Sequence, residues 1–203
     1  MGSYPITTNI MMNKNCTIRK TNADDFESIM QVEKLAFGYD KEAKLTAELL
    51  NDNTAEPILS LLAFDNEKPV GHILFTRVYF EDQEKQPMMH ILAPLAVIPT
   101  YQRQGIGGVL IKTGLEILKE MGSKLVFVLG HKEYYPRYGF LQNAQGMGFF
   151  TPYPDPMPDD YANYWMVQSL TGDKLETMPK GRIRCADTLN KPQHWREDEE
   201  DRN

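Results

Sequence analysis

Between residues 102 and 108 the chain reads Gln-Arg-Gln-Gly-Ile-Gly-Gly, and three glycines in four positions are spaced for a definite chemistry. The residues that follow, "VLIKTGLEILKEM", have helical periodicity, which puts Gly105, Gly107 and Gly108 at a helix N-terminus. Such an end presents four amides with no helical acceptor and about half a positive charge. Glycine lets that backbone approach phosphate oxygens because no Cβ intervenes. Three glycines there cost roughly 2–3 kcal/mol of helix propensity, and something must offset the loss. A pyrophosphate resting on the amides of residues 103–108 is the reading adopted. Close packing of the helix against the sheet is the alternative that glycine would also serve.

Two familiar phosphate motifs fail here. A P-loop needs Lys followed by Ser or Thr after its last glycine, and neither stands there. The dinucleotide fingerprint would place its last glycine at Leu110, and it expects alternating strands and helices from the start.

The elements around the turn are legible. "CTIRKT" alternates like a strand, and "TNADDFESIMQVEKLAF" is a capped helix with Thr21 and Asn22 as cap candidates, ended by Gly38. "KEAKLTAELLN" reads as a second helix. "ILSLLAF" and "VGHILFTRVYF", joined by "DNEKP", read as a hairpin. "MMHILAPLAVI" is a strand apolar on both faces. The helix over 105–121 buries Ile106, Leu110, Ile117 and Met121, and "KLVFVLG" is a further buried strand. "HKEYYPRYGF" is too short for a full helix, with Pro136 limiting it, and "TPYPDPMPDD" must be a loop. "NYWMVQSL" and "GRIRCADTL" close the series as strands. This order suits an α/β chain of the α+β kind, with a mixed, mainly antiparallel central sheet flanked by helices. The expected organisation is a flexible N-terminus over 1–14, a domain over 15–170, and a strand, extension and acidic tail over 171–203.

Composition limits the partners. The 203 residues are 41% hydrophobic and 25% charged, with a formal net charge of −6. That balance argues against nucleic acid, whose phosphates require a basic face. No window reaches the roughly 18 apolar residues of a membrane span, and the N-terminus has no signal-peptide pattern, so a cytoplasmic protein without membrane contact is expected. Ile6 stands where a myristoylation motif wants Ser or Thr. Cys16 and Cys185 are far apart, outside any metal-type spacing, and are expected to be reduced thiols with no metal.

"LAVIPTYQRQGIGGVLI" resembles the acetyl-CoA site of the GCN5-related N-acetyltransferases (GNAT), whose signature is Gln/Arg-x-x-Gly-x-Gly/Ala. Here it is Gln102, Arg103, Gln104, Gly105, Ile106 and Gly107, with Gly108 adjoining. Tyr135, Gly139 and Phe140 match the family's Tyr-x-x-x-Gly-Phe ending, and "VLGHKEYYPRYGF" is similar to a subgroup of small bacterial acetyltransferases. The resemblance spans about residues 16–142.

It implies the acyl-CoA N-acyltransferase fold, in which the strands ending at Val97 and Leu129 splay apart. Pantetheine would bond to the backbones of Leu95, Ala96 and Val97, with the Val97 N–H polarising the thioester carbonyl. Tyr135 would protonate the departing thiolate. Acetyl-CoA would be the co-substrate, and the acceptor an amine on a small molecule or a protein. The family often places a base on the strand before the turn. Alternation from Val97 puts Ala93 and Ile91 there, neither of which takes a proton, and His90 falls on the opposite face unless a bulge at Pro94 reverses the parity. Glu33, His131 and a water relay are the other candidates. Dimers are common in that family, which is the sole basis for expecting a homodimer. Two rivals stay open: a non-catalytic CoA-binding module of the same fold, and a nucleotide-cofactor enzyme using the glycine turn.

Overall fold

The alternating segment "CTIRK" forms strand β1 (Cys16–Lys20). In the computed structural model, which describes residues 16–152 and 159–195, Asn22 Oδ1 accepts from the Asp24 amide and Asp25 Oδ2 from the Asn22 amide, each at 2.8 Å. This reciprocal cap leads through a 3-10 turn into α1 (Phe26–Phe37). Asp25 also takes both guanidinium nitrogens of Arg19, at 2.7 and 2.8 Å, tying the cap to β1. Gly38, at φ 78°, stops the helix by donating its N–H to Lys34 O at 2.9 Å. α2 (Lys41–Leu50) then buries Ala43, Thr46 and Leu49 along one stripe.

The expected hairpin is β2 (Leu59–Asp65) and β3 (Lys68–Phe80), followed by β4 (Met89–Val97), α3 (Ile106–Glu120) and β5 (Leu125–Leu129). "YPRY" makes a single 3-10 turn, Tyr135–Tyr138. After it come β6 (Phe149–Phe150), β7 (Trp165–Ser169) and β8 (Gly181–Arg184). The main sheet runs β1-β2-β3-β4-β5-β7, while β8 pairs with the end of β3 and with β6. Among the described residues only the β4–β5 and β6–β8 pairs are parallel, so the sheet is mixed and mainly antiparallel, as the sequence indicates.

α3 packs on one face of the sheet so closely that a Cβ on Gly114 would lie 2.3 Å from the Phe75 ring. α1 and α2 cover the other face, where Glu33 of α1 meets His72 of β3. A second apolar cluster gathers under β5 and β7. There Phe127 stacks on Trp165 at 5.3 Å, and Trp195 meets Trp165 edge-on at 6.0 Å. Residues 185–195 therefore return to the core beside α2, held by Asp187 N donating to Thr54 Oγ1 and Thr188 N to Asp52 Oδ2, both 2.8 Å. The N-terminus over 1–14, the middle of the proline-rich loop (153–158) and the acidic tail (196–203) lie outside the described residues. Among the described residues Cys16 and Cys185 are free, no helix is long and apolar enough to cross a membrane, and no His/Cys/Asp/Glu group is placed to hold a metal ion.

Candidate active site

β4 and β5 are hydrogen-bonded neighbours for three residue pairs only, Met89–Leu125, His90–Val126 and Ile91–Phe127. Beyond Ile91 the strands part, and that edge of β4 has no strand partner among the described residues. Ile98 donates its N–H to Val70 O of β3 at 3.0 Å. Backbone groups alternate sides along a strand, so the amide and carbonyl of Ala96 also face β3, whereas those of Leu95 and Val97 face the gap. Of the three expected pantetheine partners, Ala96 is thus turned away; it is buried and lines neither cleft described below.

The bulge anticipated at Pro94 is present. Ile73 pairs with Leu95 and Phe75 with Leu92, so Ala93 and Pro94 together oppose Leu74. Parity reverses across it. Leu95 and Val97 lie toward α3, each 3.7 Å from where a Gly107 Cβ would be, while Ile91 and Ala93 line a cleft on the α2 side.

Turn 102–105 is built to expose amides. Arg103 and Gly105 both adopt left-handed conformations, at φ 59° and 85°, which makes neighbouring N–H groups converge. No side chain caps α3, and its hydrogen-bond ladder begins with the Val109 N–H to Gly105 O at 3.1 Å. The amides before it lack helical acceptors. Gln102 donates to Val97 O and Gln104 to Thr100 O, each at 3.0 Å, so both glutamine side chains brace the turn. Arg103 is exposed beside it and lines the cleft.

The three glycines divide between two causes. A Cβ on Gly107 would lie 2.6 Å from the Tyr134 hydroxyl, and one on Gly108 would lie 2.5 Å from that of Tyr138. Both are therefore required by close packing, against tyrosines rather than the sheet. Gly105 has nothing within 4 Å of its Cβ position and is left open. The sheet-packing role anticipated for these glycines belongs to Gly114 instead.

A cleft of about 680 Å³ runs from this turn along Leu95 and Val97 to Tyr135. A second, of about 430 Å³, lies on the α2 side between Glu42, Pro94, Leu129 and Trp195. The two share Leu95, His131 and Tyr135 in their linings, so they meet at the mouth of the strand gap. Tyr135 is well fixed there. Its ring lies where a Gly130 Cβ would be, at 2.5 Å, and packs edge-on against Phe140 at 5.8 Å. Burial pushes its phenol above the usual tyrosine range, which keeps it a proton donor. Tyr134 is raised as well, by burial first and then by its hydrogen bond with Tyr138.

The base candidates separate cleanly. Glu33 is fully buried, with Oε1 2.5 Å from His72 Nδ1, while His72 Nε2 lies 2.9 Å from Ser60 Oγ. Its carboxyl is pushed up by burial, with the His72 hydrogen bond opposing and the charge of Glu42 adding to the rise. It lines neither cleft. His90 is buried on the α3 face, bonded to Ser123 Oγ at 2.9 Å and Pro57 O at 3.0 Å, also away from both clefts. His131 is exposed and lines both. Two features escaped the sequence reading. Residues 189–195 wall the α2-side cleft, and no motif announces them. Glu42 lines it too, and there a signal existed: with Leu45, Thr46 and Leu49 it falls on the apolar stripe of α2.

A family model for the acetyltransferase (GNAT) domain matches residues 17–142. The chain is 52% identical over 171 residues to an uncharacterized N-acetyltransferase of Escherichia coli K12, YjhQ, covering 84% of this chain and 92% of that protein. Its fold matches the crystal structure of the E. coli GNAT-family protein YhbS in complex with CoA, with a TM-score of 0.76 and 26% identity over 91% of this chain and 96% of the other. It likewise matches a Brucella melitensis GNAT-family acetyltransferase in complex with acetyl-CoA, with a TM-score of 0.67 and 28% identity over 87% and 99%. On the family match, the relative and the shared fold together, the chain is a member of the GNAT acetyltransferase family.

Proposed function

We propose that the chain transfers the acetyl group of acetyl-CoA directly to the nitrogen of a primary amine. The observation that carries this reading is the meeting of two clefts, on opposite faces of the sheet, at Leu95, His131 and Tyr135. The CoA and acetyl-CoA held by the related structures suit the cleft on the α3 side. The pyrophosphate rests on the amides of the 103–108 turn, with Arg103 adding charge. Pantetheine bonds to the gap-facing backbone of Leu95 and Val97. Because Leu95 lines both clefts and Val97 only one, the amide facing the thioester carbonyl is that of Leu95.

The amine enters from the α2 side as an ammonium and loses one proton to His131. Its lone pair forms the N–C bond, the C–S bond breaks, and the Tyr135 phenol protonates the leaving thiolate. The acylated nitrogen then releases its second proton, which restores the Tyr135 phenol by way of water, and His131 gives up the first to water, so the ammonium and acetyl-CoA yield amide, free CoA thiol and one proton. A thermal-shift panel of CoA, acetyl-CoA, NAD and ATP tests the first half: only the two CoA species should stabilise, by about 2.7 kcal/mol at 100 times Kd. Release of CoA thiol with an amine library tests the second. Stabilisation without release from any amine would leave a CoA-binding module in place of an enzyme.

A further inference from the structure

The α2-side cleft has the volume of a small-molecule site, about 430 Å³. Its walls are chiefly apolar, including Phe37, Leu45, Pro94 and Trp195, and one carboxylate stands among them, Glu42. Glu42 Oε2 is shielded from solvent and has no hydrogen-bond partner among the described residues, while Oε1 receives the Tyr39 hydroxyl at 3.3 Å. A shielded carboxylate oxygen needs a donor, and within the cleft a ligand can bring one. Its place is also set. Glu33 bonds to His72, His72 pairs in register with Ala96, and the charge of Glu42 reaches Glu33. Glu42 and Leu95 line one cleft, and Leu95 belongs also to the other.

We infer that Glu42 selects the acceptor by docking its ammonium, and that the acceptor is a small primary amine carrying an apolar body. This rests on the acetyl-transfer reading above. A second ammonium on a polyamine would find no second carboxylate among the described lining residues. An acceptor carboxylate adjoining the docked ammonium, as on a free amino acid, would lie beside the like charge of Glu42. The other ionisable groups of the lining carry no negative charge to compete for the cation: Lys41 is itself cationic, burial raises the Tyr135 phenol and lowers the His194 imidazole so that both stay neutral, and His131 is an imidazole.

The test uses the full chain with saturating acetyl-CoA and measures thiol release from phenethylamine, phenylalanine, spermidine and a lysine-containing peptide. Phenethylamine should have the highest kcat/KM. Glu42→Gln should raise its KM about 10-fold or more while kcat stays within about 2-fold, and Glu42→Asp should recover part of the loss. The acetyl-CoA thermal shift should not change in either variant, which shows that both remain folded. An unchanged KM in Glu42→Gln, a fall in kcat with a displaced pH profile, or preference for one of the other three acceptors would overturn the inference and leave acetyl transfer standing. Absence of an acetyl-CoA shift, or of thiol release from every amine, would bring down the underlying reading and this one with it.

Discussion

On the α3 side of the sheet, the cleft is walled largely by residues close together in sequence. Leu95 to Gly107 supply the strand edge and the turn, and His131, Tyr134, Tyr135, Arg137 and Tyr138 come from further along. On the α2 side, the cleft is walled by side chains from α1, α2, the β4 bulge, the end of β5 and residues 189–195. On the proposed reading, the first surface offers amides to a diphosphate and to pantetheine, groups that any acyl-CoA enzyme must hold. The second offers one carboxylate in an apolar setting, which suits one kind of acceptor. That reading gives backbone recognition to the CoA moiety and side-chain recognition to the acceptor.

If that contrast is right, damage on either side should stay on that side. The largest effect should come from Gly105→Asp. The open Cβ position admits the side chain, and Asp tolerates the left-handed conformation at a cost of about 1–2 kcal/mol. A carboxylate among the amides then opposes the diphosphate, and like-charge juxtaposition costs several kcal/mol. Acetyl-CoA Kd, measured by calorimetry, should rise on the order of 1000-fold in a folded variant. Gly107 makes a poorer probe, because any Cβ there strikes the Tyr134 hydroxyl.

Next in size, Tyr135→Phe and His131→Gln should each lower kcat about 100-fold, the usual scale for losing one positioned proton donor or acceptor. Acetyl-CoA Kd should stay within about 2-fold for both. Because burial holds the Tyr135 phenol above its ordinary range, the wild-type rate should show no alkaline decline from this group up to about pH 10. An unchanged kcat in either variant would remove that residue from the chemistry.

Asp52→Ala probes the other side by way of its support. Burial works to raise the Asp52 pKa, but hydrogen bonds from Thr54 and Thr188 outweigh it and hold the carboxyl down at about 2. Those bonds anchor the stretch that carries Leu189, His194 and Trp195 into the acceptor cleft. The variant should raise acceptor KM about 5- to 10-fold and lower stability by about 1–2 kcal/mol, with acetyl-CoA affinity unchanged. A matching loss of acetyl-CoA affinity would mean that the two surfaces are not separable.

The same contrast explains what the sequence disclosed. Strand and helix boundaries followed from periodicity, because the sheet is covered on both faces and each element has a definite apolar side. The glycine turn was legible as the opening of a helix because its pattern lies in residues 102–108 alone. The packing of Gly107 and Gly108 was not, since it depends on Tyr134 and Tyr138, which only the fold brings near. The bulge at Ala93 and Pro94 was foreseen as a condition, but which face each residue would take depended on pairing with β3. Glu33 and His90 looked like bases because sequence shows a titratable side chain and not its partners. His72 already holds Glu33, and Ser123 and Pro57 O hold His90.

His90 belongs to neither surface and so serves as the control. Burial lowers its pKa to about 4, with the charge of Arg77 adding to the effect and the Pro57 carbonyl opposing it. An unfolded histidine titrates near 6.5. Above that pH both states carry neutral imidazole, and its contribution to stability is fully present. Between about 6.5 and 4 the unfolded chain binds a proton that the folded chain refuses, so stability falls as the pH falls. The loss approaches about 3 kcal/mol by pH 4 and then levels off. In His90→Gln, the amide can donate to Pro57 O and accept from Ser123 Oγ without titrating. The difference in unfolding free energy between wild type and this variant should therefore be flat above pH 6.5 and slope downward below it. Turnover at neutral pH should be unaffected. Parallel stability curves from pH 7 to 4 would show that His90 is not held neutral, and a slowed reaction would show that the sheet beneath the gap acts on the chemistry after all.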